Sequence, residues 1–466
     1  MTSGSPASSQ PELSRDLGVS HATAVVVGTI IGSGIFLVPA EMTQAVGSAK
    51  QVYLAWIVGG LLSFFGALTY AELGSMRPQA GGEYVYVRDA YGPLGGFLYA
   101  WTWFIIAKPA SIASVTIGLV RILGTFSVFS FFSQPIFSAG IFSTGISVNY
   151  GQLVAIAATI LISALNYIGI KKAGDFQLVF TLLKVAIILG IVAIGFSYSE
   201  GSWSNFAGTY TGAKGGIAGF FAALVAALWA YDGWNDLTMV AGEVRKPERN
   251  IPIALILGVA IVGALYILLN AAVQYVLPAS AIAASPRPAS DAIGLILGPI
   301  GASIVSAGMA LSMLVTLNGT IMSGARVPFA VARDRYFFSA LAEVHPRFHT
   351  PSFAIIVQAV LAILLLLVGG NFRQLFSLAI FAEWLFYMIA GSSIFVFRHH
   401  EPNARRPYRV HGYPLVPALF VLVSAALLYY TFTDNLLNSG LGSLVILAGI
   451  PIFFYFSGKR SRSLSS

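Results

Sequence analysis

Apolar runs of about 20 residues, long enough to cross a bilayer as a helix, recur from residue 20 to residue 457, separated by short polar stretches. The pattern predicts twelve spans, at about 20–45, 53–76, 93–122, 150–170, 175–197, 215–241, 252–276, 291–325, 352–369, 372–397, 413–432 and 440–457. The tails Met1–Gly18 and Ser457–Ser466 are short, polar and rich in Ser, a composition that predicts disorder. No basic segment leads into a compact apolar core with a small-residue cleavage site, so the first span is expected to be retained. The fold class is an all-α polytopic membrane protein.

Two spans interrupt the apolar pattern. The first reads VVVGTIIGSGIFLV over Val25–Val38, with Gly28, Gly32 and Gly34 around Ser33. Each Gly costs a helix interior roughly 1 kcal/mol relative to Ala, which a helix that only crosses a bilayer has no reason to accept. The sixth reads ALWAYDGWN over Ala227–Asn235, with Asp232 and Gly233 between Trp229 and Trp234. One glycine cluster alone reads as close packing of helices through small residues. Two clusters five spans apart, one carrying an acid, read as helices broken at matching positions of two inverted repeats, the arrangement that builds a midplane substrate site in secondary transporters. On that reading 1–18 is a tail, 19–200 the first repeat, 201–400 the second, 401–457 two added helices and 458–466 a second tail.

Composition narrows the function. The chain is 57% hydrophobic and 9% charged, where a soluble domain carries about 25% charged residues. Of its 26 Lys and Arg, five (Lys50, Arg121, Lys214, Arg287 and Arg373) fall in alternate loops, Lys108 and Lys184 fall within spans, and the remaining nineteen fall on the side of the termini. That asymmetry puts both termini in the cytoplasm of a multi-pass protein of the cell's inner (plasma) membrane. It also accounts for the net charge of +8 without nucleic-acid binding. The chain has no Cys, which removes disulfides, thiolate catalysis and Cys metal sites. The six histidines, His21, His345, His349, His399, His400 and His411, lie at span ends or in loops. No cofactor is expected. A membrane-embedded enzyme, which would need a nucleophile, a metal or an acid/base pair at depth, is a remote alternative, and no TVGYG-like filter marks a channel.

Ionisable residues at mid-membrane cost roughly 2.5–3.5 kcal/mol and should face the bundle interior with partners. The candidates are Glu72, Lys108, Lys184, Asp232, Asp236 and Glu383. Asp232 lies at the predicted break and is the strongest functional candidate. Lys184 sits mid-span with no snorkelling route to either surface. Glu72 reads equally as one half of a pair with a loop Arg, Lys108 before Pro109 reads as structural, and Asp236 reads as a partner for the cytoplasmic basic cluster. Arg245, Lys246 or Arg249 could alternate with Glu243 or Glu248 in a gate.

In order and spacing, GTIIGSGIF (28–36), YAELG (70–74), GGEYVY (81–86), KPAS (108–111), GDFQLVFTLLK (174–184), ALWAYDGWN (227–235), GEVRKPERNIP (242–252), TLNG (316–319), SGAR (323–326), HPRFHTP (345–351) and EW (383–384) resemble a known pattern. It is that of the amino acid–polyamine–organocation (APC) superfamily, and within it the L-type amino acid transporter (LAT) family and its bacterial members. The resemblance covers about residues 18–430. It implies the leucine-transporter fold, five-plus-five inverted repeats with helices 1 and 6 broken and two extra helices. It implies sodium-independent antiport of L-amino acids by alternating access, small or neutral ones favoured.

Carried over residue by residue, the resemblance assigns Gly32, Ser33 and Gly34 to the substrate α-carboxylate at a helix N-terminus, where anions are favoured. Carbonyls of Ile30, Ile31, Trp229 and Asp232 would meet the α-ammonium. Trp229 matches the gating aromatic over the substrate, Asn235 a polar tie to the broken span, and Glu383 with Trp384 the wall of the side-chain pocket. Lys184 matches a lysine whose ammonium stands where sodium-coupled relatives hold a sodium ion. Two departures matter. Metazoan light chains bond a heavy chain through a cysteine between spans three and four, and this loop, Leu123–Asn149, has none, so no disulfide-linked heavy chain is expected. Asp232 stands where many neutral-substrate members have a small neutral residue, so carriage of cationic plus neutral amino acids stays open, as does proton-coupled symport.

Overall fold

The structure, a computed structural model, describes residues 12–141, 144–368, 372–434 and 436–465, so disorder predicted for residues 1–11 and for Ser466 lies outside the described residues. The first span is two helices, α1 (Val19–Ile30) and α2 (Gly34–Val46), followed by α3 (Ala49–Met76) and the short α4 (Glu83–Tyr91). Then α5 (Pro93–Thr102) passes through a π-helical turn, Trp103–Ala107, into α6 (Lys108–Leu123). Pro109 removes an amide donor next to that turn, which is where a helical ladder loosens. Strands β1 (Pro135–Ile141) and β2 (Thr144–Asn149) precede α7 (Tyr150–Tyr167) and α8 (Ile170–Phe196).

The second half opens with α9 (Gly216–Ala230) and α10 (Asp236–Met239), the two pieces of the interrupted sixth span, and α11 (Pro247–Val276). It continues through α12 (Ala279–Ala284), α13 (Pro288–Gly324), α14 (Arg326–Arg333), α15 (Ser352–Val368), α16 (Phe372–His400), α17 (Leu415–Asp434) and α18 (Leu436–Ser465). Among the described residues nine helices, the first span counted across its break, are long and apolar enough to cross a membrane. Gly216–Ala230 and Ser352–Leu367 are shorter apolar helices.

Three expectations are corrected. The chain is not wholly α-helical, because β1 and β2 pair antiparallel in the linker ahead of α7; that stretch is rich in Ile, Phe, Val and Thr, residues that suit a pleated surface. The tail beyond Ser457 is not disordered where described, since α18 runs on to Ser465. Residues 12–18 are docked as well: Leu17 is fully buried, its amide donates to the Glu243 carbonyl (3.0 Å), and its carbonyl accepts from the Arg245 amide (2.8 Å). One apolar side chain and two backbone bonds hold a segment whose composition alone argues against order. Within the expected eighth span, Gly298 (φ 70°) kinks α13 ahead of Pro299.

The first span is the most completely buried of these membrane-length helices, with α8, α17 and α18 far more exposed. α1 therefore forms the centre of the bundle, with Ala24–Ile30 buried on every side. One end of the bundle is sealed. There Arg326 makes a bidentate pair with Glu243 (2.7 and 2.9 Å), both fully buried. Glu72 holds Arg398 (2.8 and 2.7 Å), lies 3.2 Å from Arg406 Nε and accepts from the Val410 amide (2.7 Å). Arg88 pairs with Asp334. The gate pairs suggested for the 243–249 loop are not made: Glu243 binds Arg326, Glu248 binds Arg405 (2.9 Å) and Arg245 lies by Asp16 (3.4 Å). Arg326 wins because it is buried beside Glu243, whereas Arg245, on the outer surface, is well exposed.

Candidate functional site

The interruption in the first span is three residues long. Ile31 leaves helical geometry at φ −73°, ψ 82°, the Gly32 amide folds back onto the Ile30 carbonyl (2.7 Å), and α2 restarts at Gly34. Among the described residues the Ser33 and Gly34 amides have no hydrogen-bond partner, as expected for the orphan donors of a new helix N-terminus.

The glycines have separate reasons. At Gly34 a Cβ would stand 2.8 Å from Ala230 Cα, so the two interrupted helices meet backbone to backbone. Gly233 (φ 100°) makes the turn after α9 in a left-handed conformation and packs on Thr29, with a Cβ position 2.8 Å from its Cγ2. Gly28 is helical and serves packing alone, since a Cβ there would meet Thr181 Oγ1 at 2.3 Å and Gln177 Nε2 at 2.4 Å.

Four side chains hold the freed carbonyls. The Lys184 ammonium, on α8 and buried, donates to the carbonyls of Gly28 (2.9 Å), Ile31 (2.7 Å) and Ser312 (3.2 Å). One cation thus ties α8 to the interruption in the first span and to α13. Ser312 Oγ (2.7 Å) and Thr316 Oγ1 (3.1 Å) also donate to Ile31. The Tyr266 hydroxyl, from α11, sits within donor reach of Ile30 O (3.1 Å) and Ala230 O (2.8 Å), the ends of both half-helices.

A narrow cavity of about 50 Å³ lies between the two interruptions. Of the expected residues it is lined by Ile30, Gly32, Ser33, Gly34, Trp229 and Asp232. Ile31, Lys184, Asn235, Glu383 and Trp384 do not line it. The Ile31 carbonyl is turned to Lys184, Ser312 and Thr316 and so is taken. Asn235 is fully buried behind the turn, donating to Glu83 Oε1 (2.9 Å) and accepting from the Tyr387 hydroxyl (3.1 Å). Glu383 is buried on α16, and Trp384 packs edge-on against Tyr387. Trp229 lines this cavity and also a vestibule of about 910 Å³ that opens away from the sealed end, so its indole lies between the two.

The charge balance of the site follows from one pair. Lys108 Nζ and Asp236 Oδ1 are 2.6 Å apart, both buried, and the lysine also lies over the Trp103 ring at 5.0 Å. Asp236 therefore pairs inside the site, not with the basic loops. Asp232 takes neutral donors, the Tyr387 hydroxyl (2.8 Å) and the Gly233 amide, and among the described residues no cation touches it. Lys108, Asp236, Ser111, Ser114, Thr316 and Thr320 also line the cavity. Sequence reasoning treats Lys108 as structural and passes over the hydroxyls. The signal for Lys108 is a charge deep in an apolar run beside a proline; Tyr266 and Tyr387 carry none among 20 tyrosines. The arrangement offers two free amides to an anion and an unpaired carboxylate to a cation within one cavity, and no nucleophile activated by a base.

Comparison with known proteins agrees in kind. The family model described as amino acid permease matches residues 17–456. The serine/threonine exchanger SteT of Bacillus subtilis (strain 168) is 33% identical, covering 97% of this chain and 98% of its own. The human b(0,+)-type amino acid transporter 1 is 32% identical over 95% of this chain and 88% of its own. The human cystine/glutamate transporter is 30% identical over 97% and 87%.

Proposed function

The chain belongs to the amino acid permease family of the APC superfamily, and on that premise we propose that it is a sodium-independent antiporter that exchanges small or neutral L-amino acids across the plasma membrane. It is a transporter, not an enzyme. The single observation that carries the reading is the cavity between the two interrupted helices, with the free Ser33 and Gly34 amides on one side and Asp232 on the other. An α-amino acid carries an anion and a cation one carbon apart, and this cavity presents a complement to each. The carboxylate takes the amides at the head of α2; the ammonium faces the Asp232 carboxylate. Trp229 closes over the substrate from the vestibule side. Asn235, Glu383 and Trp384 shape the pocket from behind.

Lys184 supports independence from sodium. Its ammonium already satisfies the carbonyls of Gly28, Ile31 and Ser312, leaving no cluster of free oxygens for a second cation there. In this reading the chain crosses the membrane twelve times, with repeats at 19–200 and 201–400, added helices at 401–457 and both termini cytoplasmic. The sealed, arginine-rich end then faces the cytoplasm, and the vestibule faces outward. A light chain without cysteine works without a disulfide-linked partner. The relatives favour small substrates through SteT, a serine/threonine exchanger by name.

A second reading, carriage of cationic as well as neutral amino acids, is favoured by one observation: Lys108 is committed to Asp236, so Asp232 stays free for a substrate cation. Competition for labelled alanine uptake into proteoliposomes tests both. Free neutral amino acids should compete and their decarboxylated amines should not; competition by excess arginine decides for the second reading. Equal competition by amines and amino acids would remove the assigned role of the Ser33 and Gly34 amides.

A further inference from the structure

One buried carboxylate touches the site only through Asn235 in the description so far. Glu83 opens α4, a short helix outside the spans, and is fully buried. The turn before it is fixed by Gly81 (φ 105°) and Gly82 (φ 49°), conformations that exclude larger residues at little strain. The Gly81 amide donates to the Met239 carbonyl at the end of α10 (2.9 Å), so the turn is pinned to the interrupted sixth span.

Glu83 Oε2 accepts from the Tyr99 hydroxyl (2.6 Å) and Oε1 from Asn235 Nδ2 (2.9 Å). Around it stand Tyr70 on α3, Tyr86 on its own helix, Tyr99 on α5, Lys108 on α6, and Glu383 and Tyr387 on α16, with Asp236 on α10 beyond Tyr99. Asp334 engages Tyr84 and Arg88 elsewhere on α4. The only cation facing Glu83 among these is Lys108, and its salt bridge is made to Asp236. A buried carboxylate held by neutral donors alone is costly to keep charged.

The contacts form an unbroken relay. Asn235 donates to Glu83 and accepts from Tyr387, and the same Tyr387 hydroxyl is 2.8 Å from Asp232 in the cavity. One hydroxyl has one proton, so Tyr387 serves either Asn235 or Asp232. From the geometry we infer that Glu83 is a proton-binding positioning residue, which through Asn235 and Tyr387 sets how strongly Asp232 holds the substrate's positive charge. With Glu83 charged, the Asn235 amide points its NH₂ at Glu83 and its oxygen at Tyr387, which draws the tyrosine proton away from Asp232 and frees that carboxylate for the substrate. With Glu83 protonated, its O–H donates to the Asn235 oxygen. The amide turns over, its NH₂ faces the Tyr387 oxygen, and the tyrosine proton goes to Asp232 alone. Substrate binding therefore releases a proton, and acid weakens binding.

Burial pushes the Glu83 carboxyl up to about 7, against the lowering effect of the Tyr99, Asn235 and Tyr70 hydrogen bonds, so the switch falls in the physiological range. A cavity of about 400 Å³ at the sealed end is lined by Pro78, Gln79, Ala80 and Val85, the residues on either side of the Gly81–Glu83 turn, and comes near Glu83 without reaching it.

The inference rests on the transporter reading above and is separable from it. Concentration dependence of alanine and arginine uptake is measured in preloaded proteoliposomes between pH 6 and pH 8, for wild type, Glu83→Gln and Tyr99→Phe. Wild type should lose apparent affinity toward pH 6 by up to about tenfold, the ceiling for one proton linked to a group titrating near 7. Glu83→Gln should remove that slope, and Tyr99→Phe, which deletes a donor to the charged form, should move its midpoint to higher pH. No exchange by wild type in any condition defeats the transporter reading itself. Exchange with a flat wild-type profile, or a slope that survives Glu83→Gln, overturns the proton-binding role alone. If Glu83→Gln does not fold, an unmoved midpoint in Tyr99→Phe overturns it instead.

Discussion

At the residue scale the site depends on which polar atoms are already taken. Lys184 spends its ammonium on three carbonyls that no other described cation reaches. Buried groups left without partners cost about 1–3 kcal/mol each. Lys184→Ala should therefore slow exchange by tenfold or more, or make it unequal between the two membrane faces, in proteoliposomes assayed in each direction; wild-type rates both ways would show that the lysine has no coupling role. Asp232 is the opposite case, a carboxylate held by neutral donors and touched by no described cation. Asp232→Asn keeps the shape and removes the charge. Half-maximal inhibition of alanine uptake by arginine should need at least tenfold more arginine in this variant, a loss of about 1.4 kcal/mol or more.

At the element scale, two glycines of α1 and α8 predict opposite outcomes. Gly28→Ala drives a methyl to 2.3 Å from Thr181 Oγ1 in the tightest part of the bundle, an overpacking that costs about 1–3 kcal/mol. Gly190→Ala, on α8 with nothing within 4 Å, should be neutral or stabilising by up to about 1 kcal/mol. Thermal unfolding of the two purified variants checks the pair, and equal Tm values would contradict the packing assigned to α1.

These elements also show what a sequence can disclose. The interruptions are legible because glycine and acid inside an apolar run are expensive, and so is Lys184, for the same reason. The separate duties of Gly28, Gly34 and Gly233 are not legible, since packing and bending use the same residue. Nor is the pairing of Lys108 with Asp236, 128 positions apart, because only the folded bundle brings α6 against α10. The docking of Leu17 is missed because one buried side chain and two backbone bonds outweigh a polar composition. The hairpin ahead of α7 is missed because a short β-rich loop is inconspicuous among long apolar runs.

At the scale of the whole molecule, one end is locked and the other open. The lock is a set of buried ion pairs, of which Arg326–Glu243 is the most enclosed. Removing one partner of such a pair strands a buried charge, at a cost of about 3–5 kcal/mol, and that cost falls only on the state in which this end is closed. Arg326→Gln should therefore shift the population toward opening at this end. The chain has no cysteine, so a single Ala330→Cys, beside the cavity at the sealed end, gives a clean reporter. It should be labelled several-fold faster by a thiol reagent in the Arg326→Gln background, and unchanged labelling would show that the pair does not hold the closed state. Two faces opening in turn on one small cavity is what exchange requires. The most direct test is uptake of labelled amino acid into proteoliposomes that are empty or preloaded with unlabelled amino acid, each with and without an inward sodium gradient. Antiport predicts uptake only into preloaded vesicles, at the same rate whether or not sodium is present; uptake into empty vesicles driven by the sodium gradient would contradict it.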